Sequence, residues 1–479
     1  MKKYAAAGRK MILFFLPLIC GMVGLVGLSD EHFLDALYRC VGMYLMNYGD
    51  TPPNLLVEIA RWTAPLVTAS WVVLAVGTLR RVLGSRVRYL RDDSVAVYGA
   101  GPAKPILLEQ LGRRGVNGEK ELALAHRYIL VGPEEENFAF YQAHRQKLSK
   151  RPVYLQCRSL STQAVKSPLL HLFCPEENAA RLFWRQKGMF ELSRQHGHRL
   201  RIVLLGFGKL GEEVLLRGLQ SNIFSPGQAI EYHIFGTADR FAAVHRGIAQ
   251  IEDPVIFHRD AWYTQLALLE TADLLLVLEQ AQQAALWEDL LLATTRQDID
   301  VFAGAGLASS PLAEQKRVRL FFWEQAACDL KIVLDDALLA RAKAINLRYS
   351  HLYAGVAETA ENREAEWAKL DAFTRGSNIS AADYHLVRLD MLKAMGLPAS
   401  AEKLPGETLE LLAQLEHMRW CRYHYLNNWA FGQPENGKRK DPRLRLHADL
   451  VPYENLTDAE REKDRENIRI LLSVENGRS

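Results

Sequence analysis

Two long uncharged stretches near the start of the chain dominate its hydrophobic pattern. The first, Met11–Leu28, has eighteen residues without a charge, and as a helix it would be about 27 Å long, close to the thickness of a membrane's hydrocarbon core. The second runs from Thr63 to Leu79. This pattern predicts a membrane hairpin of two spans within residues 1–88. A cleaved signal peptide is the alternative for the first stretch, because a basic segment precedes it.

Charged residues orient the two predicted spans. Basic residues flank the spans on the outside, at Lys2, Lys3, Arg9, Lys10, Arg80, Arg81, Arg86, Arg88 and Arg91. Acidic residues dominate the loop between them, at Asp30, Glu31, Asp35, Asp50 and Glu58. Because positive charge is retained on the cytoplasmic side, both termini and most of the chain are expected in the cytoplasm. The expected location is the inner (plasma) membrane, with lipid as one partner.

Net charge and cysteine spacing exclude other classes of protein. The net charge is +3, so a dedicated nucleic-acid surface is not predicted. The six cysteines have no C-x-x-C spacing, which predicts neither a zinc site nor a disulfide framework. No metal site is therefore expected.

A short apolar stripe and a turn lie between the two spans. Apolar side chains recur at helical spacing over Phe33–Tyr44, a helix too short to cross a membrane. A Tyr-Gly-Asp turn follows, and this arrangement between two spans resembles the pore segment of potassium channels. The resemblance implies a re-entrant segment at residues 33–54, and its pore-lining positions would be Asn47, Tyr48, Gly49 and Asp50.

The stretch departs from the potassium-channel pattern where the filter would lie. That filter stacks the backbone carbonyls of a Thr-Val-Gly-Tyr-Gly run. Here Leu45 and Met46 replace Thr-Val, and Asn47 replaces the first glycine. Three interpretations stay open: a potassium-selective pore, a pore of another kind, and a bare membrane anchor with an ordinary extracellular turn.

The region after the basic linker begins with a strand and a glycine turn. The apolar stretch Ser94–Tyr98 leads into Gly99, Gly101 and Lys104, which are two glycines of a G-x-G-x-x-G pattern with lysine in place of the third. Further strands are predicted at Arg127–Val131 and Pro152–Cys157. We interpret residues 89–195 as a degenerate Rossmann-like unit whose dinucleotide site need not survive.

A complete glycine fingerprint follows the strand Arg201–Leu205. Gly206 permits the tight turn, Gly208 lets backbone amides approach a pyrophosphate, and Gly211 allows a helix to pack closely on the strand. The start of that helix offers its amides and partial positive charge to an anion. Further strands are predicted at Ala229–Phe235, Pro254–Phe257, Asp273–Leu278 and Asp300–Ala303. Residues 196–335 are therefore predicted to form a doubly wound parallel α/β unit.

One element of dinucleotide binding is missing from this unit. The strand after the fingerprint ends in Gly236 instead of the acid that would hold the adenosine ribose. Asp239, three residues later, is the remaining candidate. NAD(H), another nucleotide, and a site kept only for structure all stay open as interpretations.

Two tandem Rossmann-like units that follow a two-span membrane segment resemble the RCK, or TrkA-N, regulatory domains of potassium channels and transporters. The resemblance covers residues 94 to about 330 and implies that the units bind nucleotides or ions and act on the pore. No catalytic constellation accompanies them. The adjacent His258, Arg259 and Asp260 are not expected to face one substrate together and are interpreted as charged surface. The chain is therefore not expected to be an enzyme.

Helical patterns fill the region after the second unit. Residues 336–404 are predicted to be a helical connector, with a linker at Thr374–Asn378 and a helix from Ser380 to Met395. Residues 405–479 contain Glu416-His417-Met418-Arg419-Trp420, Asn428-Trp429-Ala430-Phe431-Gly432 and Val451-Pro452-Tyr453-Glu454-Asn455. That order and spacing resembles the RyR repeat, a module named after ryanodine receptors and also found in bacterial proteins.

The RyR-like region offers a candidate ligand site. Aromatic faces suit a purine base and guanidinium groups suit phosphates. The candidate residues are His417, Arg419, Trp420, Arg422 and Trp429. The competing interpretation is that both tryptophans are core residues of a small, mainly helical module.

The order of these parts predicts a nucleotide-regulated, channel-like membrane protein that forms a homo-oligomer. Four subunits are expected if the pore resembles that of potassium channels. The main alternative is a membrane-anchored nucleotide sensor of an anti-phage defence system that injures the membrane. An NAD(P)-dependent oxidoreductase is the third interpretation, since a Rossmann turn alone does not make an enzyme.

Overall fold

The computed structural model describes residues 14–47, 49–50, 54–91, 93–119, 121–165, 167–304, 307, 314, 316–435 and 437–476. The chain divides into two compact units, residues 1–92 and residues 93–479. Within the described residues, the first unit is helical and the second carries the strands.

Apolar helices form the first unit. They are α1 (Phe14–Gly27), α2 (Phe33–Tyr44) and α3 (Leu55–Arg91). Their shared core contains Leu25, Ala36, Cys40, Met43, Val57, Ala60 and Ala64. Among the described helices, Leu55–Gly77 is the one segment long and apolar enough to cross a membrane, and Phe14–Gly27 is a shorter apolar helix. The first predicted span, Met11–Leu28, begins outside the described residues, so the two-span hairpin stays a prediction.

The turn after α2 folds back onto the end of that helix. The backbone amides of Leu45 and Asn47 both donate to the carbonyl of Gly42, each at 2.9 Å. Met46 between them has a left-handed φ of 60°. This stretch therefore curls over the helix end and does not extend away from it.

The rest of the pore-like stretch is held by one arginine. Arg39 Nη1 donates to the carbonyl of Asp50 at 2.9 Å and also pairs with Glu31 at 2.7 Å. Gly49 has a φ of 51°, a left-handed conformation that glycine adopts readily. Tyr48 lies outside the described residues.

A five-stranded parallel sheet begins the second unit. Its strands are β1 (Val95–Gly99), β2 (Gly115–Asn117), β3 (Arg127–Val131), β4 (Val153–Gln156) and β5 (Leu170–Phe173), and their order is β2-β1-β3-β4-β5. This is a common doubly wound order. Its connecting helices are α4 (Ala103–Leu111), α5 (Glu134–Ala143) and α6 (Arg145–Leu148). The sequence predicts β1, β3 and β4 but misses β2 and β5, which are short.

A six-stranded parallel sheet follows. Its strands are β6 (Arg199–Leu205), β7 (Ala229–Phe235), β8 (Val255–His258), β9 (Leu274–Val277), β10 (Ile299–Ala303) and β11 (Val318–Phe322). Their order is β11-β10-β9-β6-β7-β8, with parallel pairing throughout, which is the other common doubly wound arrangement. The accompanying helices are α7 (Pro175–Gln186), α8 (Met189–Gln195), α9 (Lys209–Ser221), α10 (Asp239–Val244), α11 (Leu266–Thr271) and α12 (Gln283–Ala293). The predicted strands are confirmed, and β11 is an additional edge strand.

Helices dominate the remainder of the chain. They are α13 (Trp323–Ala327), α14 (Leu330–Val333), α15 (Ala340–Ala354), α16 (Ala360–Lys369), α17 (Ala372–Ala394), α18 (Gly406–Leu426) and α19 (Asp458–Asn476). Between α18 and α19 lies a small sheet of two-residue strands, β12 (Ala430–Phe431), β13 (Lys440–Asp441) and β14 (Leu446–His447), in the order β12-β14-β13. Residues 336–404 and the RyR-like region share one hydrophobic core, which includes Ile345, Ile379, Leu392, Leu412, Ile468 and Leu472.

The predicted linker at Thr374–Asn378 is wrong, because α17 runs through it. Asp371 begins the helix, and its carboxylate accepts from the amide of Thr374 at 2.7 Å. Gly376 serves a different purpose from a turn. A Cβ at that position would lie 2.4 Å from the hydroxyl oxygen of Tyr423, so the glycine lets α17 pack closely on α18.

Candidate functional site

A cavity of about 810 Å³ opens where three parts of the second unit meet. One wall comes from a loop next to the first sheet. A second comes from α9 and the end of α10, which are helices that accompany the second sheet. The third comes from α17, α18 and the small sheet. We name it the three-way cavity and define it by Gln220, His245, Phe373, Trp420, His424, Trp429, Lys440, Arg445 and His447.

An aromatic cluster forms one wall of the three-way cavity. Trp420 and His424 are four residues apart on α18 and therefore share a helix face, with ring centroids 4.0 Å apart. Asn428 bends the chain through a left-handed φ of 58°. Beyond it, the ring of Trp429 stacks on Phe373 at 5.2 Å. Trp429 is buried and Trp420 is half-buried, so the exposed part of the cluster is suited to a planar ligand ring.

Cationic and amide side chains form another part of the lining. Lys440 is exposed, and Arg445 Nη1 donates to the carbonyl of Asn427 at 3.1 Å. Arg445 has a left-handed φ of 54°, which costs a non-glycine residue about 1–2 kcal/mol. Gln220 Nε2 donates to the carbonyl of Leu216 at 3.0 Å. Its Oε1 is buried and has no hydrogen-bond partner among the described residues, which is an uncommon state for a buried amide oxygen.

Backbone contacts fix the tautomers of two imidazoles in the lining. His424 Nδ1 lies 2.8 Å from the carbonyl of Trp420, and because a carbonyl only accepts, Nδ1 carries the proton. The backbone amide of Asp449 donates to His447 Nδ1 at 3.0 Å, so that ring carries its proton on Nε2. Burial lowers the pKa of His447, and it lowers the pKa of His424 to about 3. Both rings are therefore neutral, and Nε2 accepts in one and donates in the other.

Two of the five predicted ligand residues, Trp420 and Trp429, line this cavity. Arg419 and Arg422 are 2% and 0% exposed and take part in packing. Arg419 Nη2 bonds to Glu416 Oε1 at 2.7 Å, and Arg422 Nη2 pairs with Asp253 Oδ2 at 2.8 Å. His417, the fifth, is also buried away from the cavity.

His417 is held between two acceptors. Nδ1 lies 3.2 Å from Asp464 Oδ2, and Nε2 lies 2.8 Å from the carbonyl of Val451. Both nitrogens therefore carry protons. Burial alone lowers the pKa of His417, but its hydrogen bond to Asp464 and its contact with Cys421 outweigh burial and raise the pKa to about 10.

We expect His417→Gln to lower the free energy of unfolding by about 2 kcal/mol below pH 6.5. The folded pKa lies above the unfolded value of about 6.5, so the stabilisation is complete below that pH and is lost as pH rises through about 10. Urea unfolding of the full chain should show the difference in unfolding free energy from wild type shrinking over this range. The exposed His351→Gln is the control. A pH-independent difference would mean that His417 acts by packing alone.

The glycine fingerprint of the second sheet leaves the start of α9 open. At Gly206, with a φ of 97°, a Cβ would lie 2.4 Å from the amide nitrogen of Glu279. At Gly211 a Cβ would lie 2.7 Å from the carbonyl of Gly206, whereas at Gly208 it would meet nothing within 4 Å. Close packing therefore requires glycine at Gly206 and Gly211, whereas Gly208 leaves room for a ligand.

A crevice of about 1080 Å³ lies beside this fingerprint, at the carboxyl ends of β6, β7 and β8, where doubly wound sheets bind their ligands. Its carboxylates come from Asp239, Asp260, Glu279 and Asp289. Arg259 is the cation opposing them, so a phosphate here would meet an excess of negative charge. Among the described residues, no group of three or more His, Cys, Asp or Glu side chains could hold a metal ion.

His258, Arg259 and Asp260 all line this crevice. Lining one crevice does not bring the three side chains onto one substrate, so the interpretation of these residues as charged surface stays a prediction. β8 ends at His258, and the chain then continues along the crevice wall.

The glycine turn of the first sheet is closed by its own lysine. Gly99 has a φ of 99°, and a Cβ there would lie 1.7 Å from the carbonyl oxygen of Val131. Gly101 is also left-handed, with a φ of 100°. Lys104 Nζ donates to the carbonyls of Gly99 at 3.2 Å and Gly118 at 2.9 Å. The ammonium group thus joins the turn to the segment after β2.

The remaining lining residues were not predicted as ligand contacts. His424 follows Trp420 by four residues, a helical spacing that places both on one face. Gln220, Phe373 and Arg445 come from separate elements, so no local pattern connects them.

Comparison with known families matches residues 392–474 to the RyR domain. The match covers the end of α17, α18, the small sheet and most of α19. It therefore includes Trp420, His424, Trp429, Lys440 and the rest of the C-terminal lining of the cavity. No curated protein and no solved structure matches the chain.

Proposed function

We propose that this chain is a nucleotide-regulated, channel-like membrane protein whose ligand binds in the three-way cavity. The observation that carries the proposal is the composition of that cavity. It combines the aromatic cluster around Trp420 with Lys440, Arg445 and the imidazole of His424, where both sheets and the RyR domain meet. Rings that stack on a base and cations that pair with phosphates are the two requirements of a nucleotide site.

Charge favours this cavity over the crevice of the second sheet. The crevice has four carboxylates against Arg259, which disfavours a phosphate. The incomplete fingerprint at Gly236 and Asp239 further weakens the case for NAD(H) as a bound cofactor. We therefore assign the nucleotide to the three-way cavity and keep the crevice as the second location to test.

A ligand in the cavity would lie near the contacts that join the RyR domain to the second sheet. Asn428 joins the RyR domain to the second sheet, because its Oδ1 accepts from the amide of Gly247 at 3.1 Å and its Nδ2 donates to the carbonyl of Val244 at 2.6 Å. His245 Nδ1 donates to the carbonyl of Leu426 at 2.8 Å. A ligand that favours one arrangement of these contacts would shift an equilibrium between two states.

The membrane part of the proposal rests on the first unit. Leu55–Gly77 has the length and composition of a span. On α2, Phe33, Leu34, Tyr38 and Val41 are all more than half exposed, an apolar surface that lipid or another subunit would cover. We propose two spans with both termini cytoplasmic, and a homo-oligomer of four subunits around a cation pore, with potassium as the first ion to test.

The test is ion flux from liposomes loaded with potassium, sodium and dye, containing the full chain, with and without a panel of nucleotides. We expect nucleotide-dependent potassium efflux. Trp420→Ala removes a stacking face worth about 1–3 kcal/mol, so about tenfold or more nucleotide should be needed for the same flux.

Trp262→Ala is the matched control, because Trp262 lines the crevice and not the three-way cavity. It should leave the nucleotide response unchanged. If Trp262→Ala removes the response and Trp420→Ala does not, the ligand binds in the crevice. If no ion passes under any condition, the first unit is only an anchor.

A second candidate function is the membrane-damaging effector of an anti-phage defence system. The observation that favours it is the turn after α2, where Leu45 and Asn47 fold back onto Gly42 and do not form the extended row of carbonyls that a potassium filter needs. Dye leakage in the same experiment would support this function over a selective pore. Turnover of a nicotinamide cofactor would be required to support an oxidoreductase.

A further inference from the structure

His424 lines the three-way cavity and lies close to several aromatic rings. Its ring centroid is 4.0 Å from that of Trp420, 5.3 Å from that of Trp429 and 5.2 Å from that of Phe373. A planar base stacked in this cluster would therefore lie beside the imidazole. The hydrogen-bonding character of that imidazole decides which bases fit.

The backbone of α18 determines that character. His424 Nδ1 donates to the carbonyl of Trp420 at 2.8 Å, so the lone pair is on Nε2. Among the residues that the structure describes, Nε2 has no hydrogen-bond partner. Gln220 also lines the cavity, and its Oε1 is buried without a hydrogen-bond partner among the described residues. This part of the cavity therefore offers an acceptor and requires a donor from a ligand.

We infer that His424 Nε2 accepts a hydrogen bond from the exocyclic amine of the ligand's nucleobase, and that the site selects nucleotides whose base carries such an amine. This inference rests on the proposed function, because it concerns the same cavity and the same class of ligand. Adenine, cytosine and guanine supply the required N–H groups. A base without the amine would leave this acceptor unpaired and shielded from water.

A neighbouring part of the lining has the opposite character, and its His447 ring centroid lies 5.9 Å from that of His424. His447 accepts from the backbone through Nδ1, and so it presents Nε2–H as a donor. Lys440 and Arg445 add further donors. The acceptor for the base thus comes from α18, and the donors for the phosphates come from β13, β14 and the turn between them.

A direct contact between His424 and a phosphate is disfavoured, because it requires a protonated ring. The charged and titratable groups around His424 are Arg217, Arg419, Lys440, Arg445, His245, His447, Tyr423, Glu177 and Asp371. Burial, followed by the nearby His447, Arg419 and Lys440, holds the pKa of His424 far below its usual value. The ring therefore stays a neutral acceptor.

The test compares pairs of ligands that differ in the amine: ADP with purine riboside 5′-diphosphate, CDP with UDP, and GDP with IDP. Binding to the full chain in nanodiscs is measured by calorimetry for wild type and His424→Phe. We expect wild type to bind the amine-bearing member about tenfold more tightly. His424→Phe should bind both members of that pair equally. His351→Phe, at an exposed site, should behave as wild type.

Each outcome decides between the two proposals. Equal affinities within every pair that binds wild type would overturn the role of His424 and leave the nucleotide function standing. An undiminished preference in His424→Phe would also overturn it. Failure of every nucleotide to bind would overturn the proposed function itself. If His424→Phe does not fold, N6,N6-dimethyl-ADP replaces the variant, and undiminished binding of that ligand to wild type overturns the inference.

Discussion

Glu416→Gln should lower the free energy of unfolding by about 3–5 kcal/mol. Glu416 is 2% exposed and lies between Arg388 and Arg419, which are 1% and 2% exposed. It accepts hydrogen bonds from both guanidinium groups. A neutral amide at this position would leave two buried positive charges without the carboxylate that joins them.

The surroundings of these arginines compensate only in part: Arg419 Nη1 also donates to Ser380 Oγ at 3.2 Å, and Asp464 attracts both guanidinium groups. Burial opposes their charge and lowers the pKa of both Arg388 and Arg419. Within the described part of the chain, Nε and Nη1 of Arg388 have no hydrogen-bond partner. A buried ion cluster contributes little net stability when intact, but removing one member is costly because the remaining charge stays buried.

Glu410→Gln is the matched control, since it makes the same substitution on the same helix. Glu410 Oε2 pairs with Arg465 at 2.6 Å, but its side chain is 40% exposed, and a pair of this kind contributes at most about 1 kcal/mol. Urea unfolding followed by tryptophan fluorescence measures both variants. Equal losses of unfolding free energy in Glu416→Gln and Glu410→Gln would contradict a special role for Glu416.

Asp253→Asn should also lower the free energy of unfolding by about 3–5 kcal/mol, because it breaks a different buried ion pair. Asp253 is 1% exposed, and its partner Arg422 is 0% exposed. The carboxylate also accepts from Gln228 Nε2 at 2.7 Å and from the amide of Ile230 at 2.9 Å. It therefore attaches the RyR domain to the second sheet, and its loss leaves Arg422 buried without its nearest counter-ion.

Glu252→Gln is the control that distinguishes loss of the buried Asp253–Arg422 pair from loss of any negative charge near Arg422. Glu252 faces the same Arg422, at 3.4 Å, but its side chain is 55% exposed, so the variant should lose at most about 1 kcal/mol. Amide hydrogen exchange gives the second measurement. Asp253→Asn should speed exchange along α18 more than in the first sheet, and a uniform increase would contradict a local role at this interface.

The parallel sheets were predictable because their strands are buried on both faces. Arg201–Leu205 is a near-continuous apolar run that ends at a glycine turn, and the neighbouring Leu274–Val277 is wholly apolar, a pattern with few alternative structures. β11 at the sheet edge carries Arg319 and is only partly buried, so its pattern is weaker. The linker at Thr374–Asn378 was wrong because Gly376 reflects contact with Tyr423, which no local rule shows.

The candidate site was predictable only in part. Trp420 and Trp429 are large aromatic residues in a helix-and-turn pattern, and the cavity includes both. Arg419 and Arg422 lie three residues apart on α18 and share a face that differs from that of Trp420 and His424. Residues on different helix faces rarely contact one ligand. The spacing along α18 alone therefore indicates that the two arginines and Trp420 do not share a site. Gln220 and Phe373 required the tertiary structure, since α9 and α17 are far from α18 in sequence.

The core shared by α15, α17, α18 and α19 limits how the RyR domain can be transferred between proteins by gene recombination. A gene fragment that encodes only residues 392–474 would keep Leu412 and Ile468 but lose Ile345 and Ile379, which pack in the same core. The transferred piece would expose that apolar surface in its new host. Successful recombination must therefore bring its own supporting helices or join a protein that already supplies an equivalent pair. Architectures containing this domain should then vary in what precedes it but retain helices in that supporting position.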